Sequence, residues 1–206
     1  MFNDFIKTDS WVELKTKKVC AIDIDDTLSD STPFWIAYVN DKLKTSFNDL
    51  DEMKNTLSYK QYKKLKKEYR VSGIKANIPA LPGASELTKK LKERGYHIII
   101  ITARPANDYP ELTKITNQWL RDNNIEYDGI IFDKDKHVKV LEKAPNLSFS
   151  VNDHYTEALL LAKWGYNTFL LDNRYNRRDH PNDFRGDIIR VNNLLEIIKY
   201  LEVKGD

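Results

Sequence analysis

Residues 19–28 read Val-Cys-Ala-Ile-Asp-Ile-Asp-Asp-Thr-Leu, an apolar run that ends in three closely spaced carboxylates. The apolar part predicts a buried strand over residues 19–24. Asp23, Asp25 and Asp26 repel one another, so burying them is costly unless a cation binds there. If the backbone stays extended, Asp23 and Asp25 point the same way. This stretch therefore predicts a strand that leads into an acidic, cation-binding site.

Further apolar runs alternate with stretches of helical period, and two of those helices stop at a glycine, Gly95 and Gly165, as helices often do. Alternating strands and helices predict an α/β fold with a Rossmann-like parallel sheet sandwiched by helices. Sheets of this kind bind ligands in the crevice beyond the carboxyl ends of their strands. The segment 173–190, which holds five arginines, is predicted to be a surface loop. The predicted strands after the first are residues 97–101, 129–132, 147–151 and 168–171.

Residues 31–78 break this alternation, since they contain two helical patterns and no strand pattern. An insert of this length directly after the first strand predicts a small helical cap over the crevice. The chain then divides into a core domain, residues 1–30 and 79–206, and the cap, residues 31–78. Six of the residues 60–70 are basic, which indicates either a solvated helix face or a surface that steers nucleotides or nucleic-acid ends.

Polar residues follow the other predicted strands. Thr102 ends the second strand, Asp153 follows the fourth, and three lysines lie where a helix begins after the third, namely Lys134, Lys136 and Lys139. This combination suits phosphoryl transfer, with Asp23 as nucleophile toward phosphorus and Asp25 as proton donor to the leaving oxygen. Thr102 and a lysine would hold phosphate oxygens. Asp23, Asp25 and Asp153 offer only oxygen ligands, which favours Mg²⁺.

The ordered motifs resemble the haloacid dehalogenase superfamily of aspartate-dependent phosphatases. The first motif of that superfamily, Asp-x-Asp-x-Thr-Leu, is matched in full at residues 23–28. Thr102, a lysine and Asp153 then follow in family order. The resemblance covers about residues 18–171 and implies a fold of the predicted kind.

Within the superfamily the chain is most similar to the 5′(3′)-deoxyribonucleotidase group and its bacterial and phage relatives. The similarity rests on Ile-Thr-Ala-Arg-Pro at residues 101–105, on the pair Asp135 and Lys136, and on the short cap. One departure is Asn152, because relatives often carry an aspartate at that place in the fourth motif.

The resemblance implies hydrolysis of a phosphomonoester through an aspartyl-phosphate at Asp23. It implies that Mg²⁺ is held by Asp23, Asp25 and Asp153. Asp25 would protonate the leaving oxygen and then activate the attacking water. Lys136 is the favoured phosphate-binding lysine, because Asp-Lys before a helical turn resembles the nucleotidase motif. Substrate contacts are implied for Thr27, Arg104 and Lys139.

The composition narrows the class of partner. A net charge of +2, from 33 Lys+Arg against 31 Asp+Glu, is too even to indicate nucleic-acid or membrane binding by itself. The single cysteine, Cys20, excludes a disulfide framework. The composition therefore favours a cytoplasmic protein, and the resemblance implies that it acts on a small phosphorylated substrate, a nucleotide. The alternatives are a 3′-phosphatase for DNA or RNA ends and a binding-only member of the superfamily, with a receiver-like signalling module least favoured.

Overall fold

The computed structural model describes residues 17–173, 175–176 and 186–205. Its strands are β1 (Lys18–Ile22), β2 (Tyr96–Thr102), β3 (Gly129–Phe132), β4 (Leu147–Asn152), β5 (Asn167–Leu171) and β6 (Ile188–Val191). They form one sheet in the order β3-β2-β1-β4-β5-β6, and every neighbouring pair is parallel. The predicted Rossmann-like α/β fold is thus confirmed, while the predictions for residues 1–16 lie outside the described residues.

Helices cover both faces of the sheet. In chain order they are α1 (Ser31–Leu43), α2 (Leu50–Thr56), α3 (Tyr59–Val71), α4 (Ala84–Glu93), α5 (Glu111–Asp122), α6 (Lys136–Lys143), α7 (Tyr155–Lys163) and α8 (Leu195–Lys204). One hydrophobic cluster joins the sheet to α4, α5 and α8, and a second joins its other face to α6 and α7. Every residue of β2 is buried, as expected for an inner strand of a parallel sheet covered on both faces.

Strand β6 was not predicted, because the segment 173–190 was interpreted as a surface loop. It pairs with β5 at the sheet edge, where Ile189 lies opposite Phe169. Its four residues include an exposed arginine, Arg190, and two half-buried isoleucines. Three of its four residues are apolar, but a run of four beside an arginine-rich stretch is too short to be distinguished from a loop by sequence.

The predicted cap, residues 31–78, contains three helices rather than two, together with a short 3-10 turn at Ile74–Ala76. The additional helix is α2, whose N-terminus is capped by the Asp49 side chain accepting from the Glu52 N–H. The helices enclose a hydrophobic cluster of their own, centred on Trp35, whose ring lies 5.1 Å from that of Tyr69. The insert therefore has its own small core, although its status as a separate domain stays a prediction.

Both ends of this insert leave the core at one place. Ser29 and Ala80 form an antiparallel bridge, and the Leu81 N–H donates to the Leu28 carbonyl at 2.8 Å. The indole N–H of Trp119, on α5, donates to the carbonyl of Ile78 at 2.6 Å and ties the returning chain to the core. Across the described residues, none of the helices has the length and apolar content that a bilayer crossing needs.

Candidate active site

The site residues lie together because β1 is flanked by β2 and β4. Ile22 lies opposite both Ile100 and Val151, so the carboxyl ends of the three strands meet at one edge of the sheet. The Asp23 N–H continues the ladder by donating to the Val151 carbonyl at 3.0 Å. This register brings Asp23, Thr102 and Asp153 to the crevice where such sheets bind ligands.

Asp23 is buried and held on both carboxylate oxygens. Its Oδ1 accepts from the Ile24 N–H at 2.8 Å, and its Oδ2 accepts from Lys136 Nζ at 2.7 Å. Burial raises the pKa of Asp23, Lys136 opposes this, and Asp25 adds to it, so that the pKa lies above its usual value. A carboxylate with fixed direction and little solvation is well prepared to act as a nucleophile.

The structure separates the three candidate lysines. Lys136 is the first residue of α6 and the only one of them that is buried, against Asp23. The Lys134 side chain is 85% exposed near Asp135. Lys139 lies one turn further along α6, where its ammonium contacts Glu142 at 2.8 Å. The predicted substrate contact of Lys139 stays a prediction, since the structure shows its ammonium with Glu142.

Asp25 lies among cations. Its carboxylate accepts from Arg104 Nε at 3.0 Å and Nη2 at 2.7 Å. Lys75 Nζ and Ser31 Oγ also donate to its Oδ1, at 2.8 and 2.6 Å. Burial alone raises the pKa of Asp25, but the Arg104 and Lys75 charges outweigh it and hold the pKa well below its usual range.

The expectation that Asp23 and Asp25 point the same way, made for extended backbone, stays a prediction. Strand β1 ends at Ile22, and the chain then folds into a tight turn. The Leu28 N–H donates to the Ile24 carbonyl, and Asp26 has a φ of 59°. Asp26 tolerates this left-handed conformation because its carboxylate accepts from the backbone and hydroxyl of Thr32. The turn therefore assigns each carboxylate its own set of neighbours.

Arg104 and Lys75 form one unit with Asp25. The Arg104 side chain is only 2% exposed, and its remaining described contact is Nη1 with the Thr116 hydroxyl at 3.0 Å. This placement gives Arg104 a positioning role under Asp25, while its predicted contact with substrate stays a prediction. Lys75, in the cap, was missed by sequence reasoning, since it lies 50 positions from Asp25 and belongs to no motif.

Thr27 and Thr102 are both buried beneath the site. The Thr27 hydroxyl donates to Asp153 Oδ1 at 3.4 Å. This contact can orient the Asp153 carboxylate, and the predicted contact of Thr27 with substrate stays a prediction. The Thr102 hydroxyl accepts from the Arg104 N–H at 3.3 Å, and it keeps its own proton available for a phosphate oxygen.

Asp23 and Asp153 are the side chains that could hold a metal ion. Burial, together with the charges of Asp23 and Asp26, raises the pKa of Asp153 well above its usual range, so a cation between the two carboxylates would relieve a real electrostatic cost. Among the described residues, no three acidic, histidine or cysteine side chains gather closely enough for a metal. The Asp25 carboxylate contacts Arg104 and Lys75, and the predicted role of Asp25 as a metal ligand stays a prediction. Two carboxylates completed by waters fit Mg²⁺, which dehydrates reluctantly.

Asn152 and Glu157 lie next to this pair without joining it. The Asn152 amide donates to Ser150 Oγ at 3.1 Å, on the side of the sheet covered by α6 and α7. Glu157 Oε2 lies 3.3 Å from His137 Nδ1. The replacement of an aspartate by Asn152 therefore leaves Asp153 as the carboxylate that this strand end offers.

A cavity of about 660 Å³ lies beside the loop that carries Asp26, between α1 and the ends of β5 and β6. Its described lining includes Asp26, Asp30 and Asp172 but no lysine or arginine. Such a lining is unfavourable for a phosphate group, so the cations at Asp23 and Asp25 remain the better place for one.

Comparison with known proteins agrees with this geometry. Residues 17–185 match the family described as cytosolic type C 5′-nucleotidase, deoxy (pyrimidine), or NT5C. A nucleotidase of Clostridium acetobutylicum is 26% identical over 163 residues, which cover 76% of this chain and 81% of that protein. The Bacillus subtilis protein YqfW, named as a candidate nucleotidase, is 30% identical over 187 residues, covering 87% of this chain and 91% of its own.

Solved structures agree on the fold. A haloacid dehalogenase-like hydrolase from Streptococcus pneumoniae superposes with a TM-score of 0.64 at 17% identity, covering 90% of this chain and 98% of its own. At this identity the likeness concerns the architecture alone.

Proposed function

The chain belongs to the NT5C nucleotidase family of the haloacid dehalogenase superfamily and is a phosphoric monoester hydrolase, and on this premise we propose that it hydrolyses (deoxy)nucleoside monophosphates with Mg²⁺ through an aspartyl-phosphate at Asp23. The observation that carries the proposal is the 2.7 Å contact between Lys136 Nζ and Asp23 Oδ2 beside Asp153. It supplies a directed nucleophile with a cation that can follow the charge onto the phosphoryl group.

In the first half-reaction a carboxylate oxygen of Asp23 bonds to phosphorus while the bond from phosphorus to the leaving oxygen breaks. The leaving oxygen takes a proton from Asp25 and departs as an alcohol. Lys136 and the Thr102 hydroxyl donate to the equatorial phosphoryl oxygens. Mg²⁺, held by Asp23 and Asp153, would supply charge neutralisation that lets a carboxylate approach an anion.

In the second half-reaction water attacks phosphorus and gives its proton to Asp25. The bond between phosphorus and Asp23 breaks, inorganic phosphate is released, and both carboxylates return to their starting state. This step asks Asp25 to be a base, and the cations Arg104 and Lys75 favour its charged form.

Asp25 must also be protonated for the first half-reaction, yet its pKa lies well below the usual range beside these cations. A substrate anion that draws Lys75 toward itself would weaken this hold and raise the pKa. The proposal therefore includes movement of the cap-borne Lys75 when substrate binds.

The test is phosphate release from pyrimidine and purine deoxynucleotides, phosphorylated at the 5′ or 3′ position, with and without Mg²⁺. A 3′-phosphorylated oligonucleotide is included, because four exposed lysines on α3 favour the alternative substrate, a nucleic-acid end: Lys60, Lys63, Lys64 and Lys67. We expect turnover of mononucleotides that needs both Mg²⁺ and Asp23, with Asp23→Asn inactive. Turnover of the oligonucleotide alone, falling steeply with salt, would establish the alternative. Activity that survives in Asp23→Asn would reject the aspartyl-phosphate.

A further inference from the structure

We propose that the cap contains a second anion site, formed by Lys66, Tyr69 and Lys75, which binds a second phosphate group carried by the leaving group. The inference rests on the proposed function and names its substrate class: a nucleoside bisphosphate, phosphorylated at both the 3′ and the 5′ positions.

Lys66 is a half-buried cation that faces the site from α3. Its ammonium lies 4.4 Å from the centre of the Trp35 ring and 5.8 Å from that of Tyr69. It makes no ion pair with any residue that the structure describes. Burial, followed by the charge of Lys75, lowers the pKa of Lys66 to about 8. A cation kept in this position without a carboxylate partner is available to an incoming anion.

The Tyr69 hydroxyl is a second unused donor. The residue is 1% exposed, and its hydroxyl has no hydrogen-bond partner among the described residues. Lys66 and Lys75 both approach its ring, Lys75 at 5.7 Å from the centre. Leaving a buried hydroxyl unpaired costs about 1–3 kcal/mol, and a ligand oxygen would remove this cost.

The charges around Asp25 are unbalanced in favour of an anion. Arg104 and Lys75 contact Asp25 directly, and together they already exceed its single negative charge. Lys66 and Arg70 add two further cations to this side, since both act electrostatically in the same cluster. Asp25 and Asp26 are the acids that act on Lys66 from this side, and these two negative charges are fewer than the four cations. The cluster therefore retains positive charge.

This charge lies on the side of the leaving group. Lys136 contacts Asp23, the proposed nucleophile, and therefore lies where the reacting phosphoryl group would bind. Lys75 serves Asp25, the proposed proton donor to the leaving oxygen. A cation cluster around Asp25 consequently meets whatever the leaving oxygen is attached to, and a phosphate there would contact Lys66, Lys75 and the Tyr69 hydroxyl.

The burial of the subsite favours a small ligand. Lys75 is 8% exposed and Tyr69 is 1% exposed, so the groups lie under the cap rather than along an open groove. The second phosphate of a nucleoside bisphosphate can be enclosed there, whereas a phosphodiester of a longer strand must leave the site again.

The test compares kcat/KM for a deoxynucleoside 3′,5′-bisphosphate with that for the 5′-monophosphate of the same base. We expect the wild-type enzyme to prefer the bisphosphate at least tenfold. Lys66→Met keeps the apolar stem and should lower this preference by about tenfold, the order of one charge-assisted hydrogen bond. Tyr69→Phe should lower it several-fold. Lys67→Met, an exposed lysine on the same helix, is the matched control and should leave the preference in place.

Three outcomes would overturn the subsite. The first is an equal kcat/KM for the two nucleotides in the wild-type enzyme. The second is an equal loss of preference in Lys66→Met and Lys67→Met, which would indicate general attraction by a basic helix. The third is a selective preference for a phosphorylated oligonucleotide. Calorimetry of the Asp23→Asn protein measures binding of the bisphosphate without turnover. This separates the subsite from the proposed function. Tenfold tighter binding than of the monophosphate, lost in Lys66→Met, would support the subsite even if no substrate is turned over.

Discussion

Lys75 Nζ of the cap lies 2.8 Å from Oδ1 of Asp25 in the core. Arg104 contacts the same carboxylate from the core side. Asp25 is therefore paired with one cation from the core and one from the cap. When the cap lifts, Asp25 loses one of its two cations, and its pKa rises toward the ordinary value. The position of the cap and the protonation of the proposed acid are thereby linked.

The role of Asp25 as proton donor predicts a dependence on the leaving group. Asp25→Asn should reduce kcat/KM for a deoxynucleotide by about 10²–10⁴, the usual range for general acid catalysis. The loss should be at least tenfold smaller for p-nitrophenyl phosphate, whose leaving group needs no proton. Steady-state kinetics on both substrates test this. The control is Asp30→Asn, because the Asp30 side chain forms no hydrogen bond with the N-terminus of α1, which it precedes. Equal losses on both substrates would assign Asp25 a purely electrostatic role.

The two lysines of α6 should behave differently. Lys136→Met removes the cation 2.7 Å from Asp23 and should lower kcat/KM by at least about 10²-fold, as loss of one oriented donor does. Lys139→Met removes a side chain that is 39% exposed and contacts Glu142, and we expect a change of less than about twofold. If Lys139→Met has the larger effect, α6 presents a different face to the substrate from the one described.

Metal binding should become stronger as the pH rises. Asp153 and Asp23 have raised pKa values and must lose their protons before they hold Mg²⁺, so protons compete with the metal. The rise in melting temperature caused by Mg²⁺ should therefore grow from pH 5 to pH 8. At a Mg²⁺ concentration of 100 times the Kd, binding stabilises the folded protein by about 2.7 kcal/mol. A shift independent of pH would argue against these two carboxylates as the ligands.

Without metal, the stability of the folded protein should fall as the pH rises. A carboxyl whose folded pKa is raised binds more protons in the folded state, so stability falls as pH rises from its unfolded pKa, about 4, toward the raised value. Asp153→Asn removes this loss. The variant should be as stable as the wild type or more stable at pH 8 without metal, and it should show little stabilisation by Mg²⁺. Scanning calorimetry of both proteins with EDTA and with Mg²⁺ measures the two effects.

Arg104 should contribute to stability as well as to activity. Arg104→Met leaves Asp25 with Lys75 as its one remaining cation among the described residues and removes the contact of the Thr116 hydroxyl, and it should lower the free energy of unfolding by about 2–3 kcal/mol. Arg104→Lys should recover less than half of this, because a lysine cannot reproduce the two-nitrogen contact. The control is Arg94→Met, whose partner Glu202 is half exposed, with an expected cost of at most about 1 kcal/mol. Urea unfolding compares the three, and equal costs for Arg94 and Arg104 would contradict the assignment.

Gly186 should not tolerate a side chain. A Cβ placed there would overlap the backbone carbonyl of Tyr166, which cannot move aside as a side chain could. Gly186→Ala should therefore cost more than about 2 kcal/mol. Gly73→Ala, where the φ is 78° and the space is open, should cost about 1 kcal/mol. The melting temperatures of both variants test this, and a near-neutral Gly186→Ala would show that the chain around β6 adjusts.

The sequence predicts those parts of this fold that repeat a physical period. Strands β1 to β5 are short segments rich in apolar residues, and the helices between them end at recognisable residues, so both were found. The short helix α2 carried a usable signal, since Asp49 and Glu52 have the spacing of a helix cap. Strand β6 has three apolar residues of four, but its small size and its place in an arginine-rich segment led to its interpretation as a loop.

The candidate site divides in the same way. Asp23, Thr102 and Asp153 follow strands, so their convergence at one edge follows from the topology. The left-handed turn at Asp26 could not be predicted, since it depends on the contacts of its carboxylate with Thr32. The positions of Lys75 and Tyr69 near Asp25 also could not be predicted, because only the folded cap brings these residues there.

The bridge between Ser29 and Ala80 has a consequence for how this protein could diversify. Since the chain leaves and re-enters the core at adjacent points, the segment between them can be lengthened, shortened or replaced without changing the register of any strand in the sheet. Because that segment carries Lys75, which contacts Asp25, a replacement segment has to supply its own cation if the surroundings of the proposed acid are to be kept. Recombination at this junction can therefore change what the enzyme accepts, but only together with the charge around Asp25.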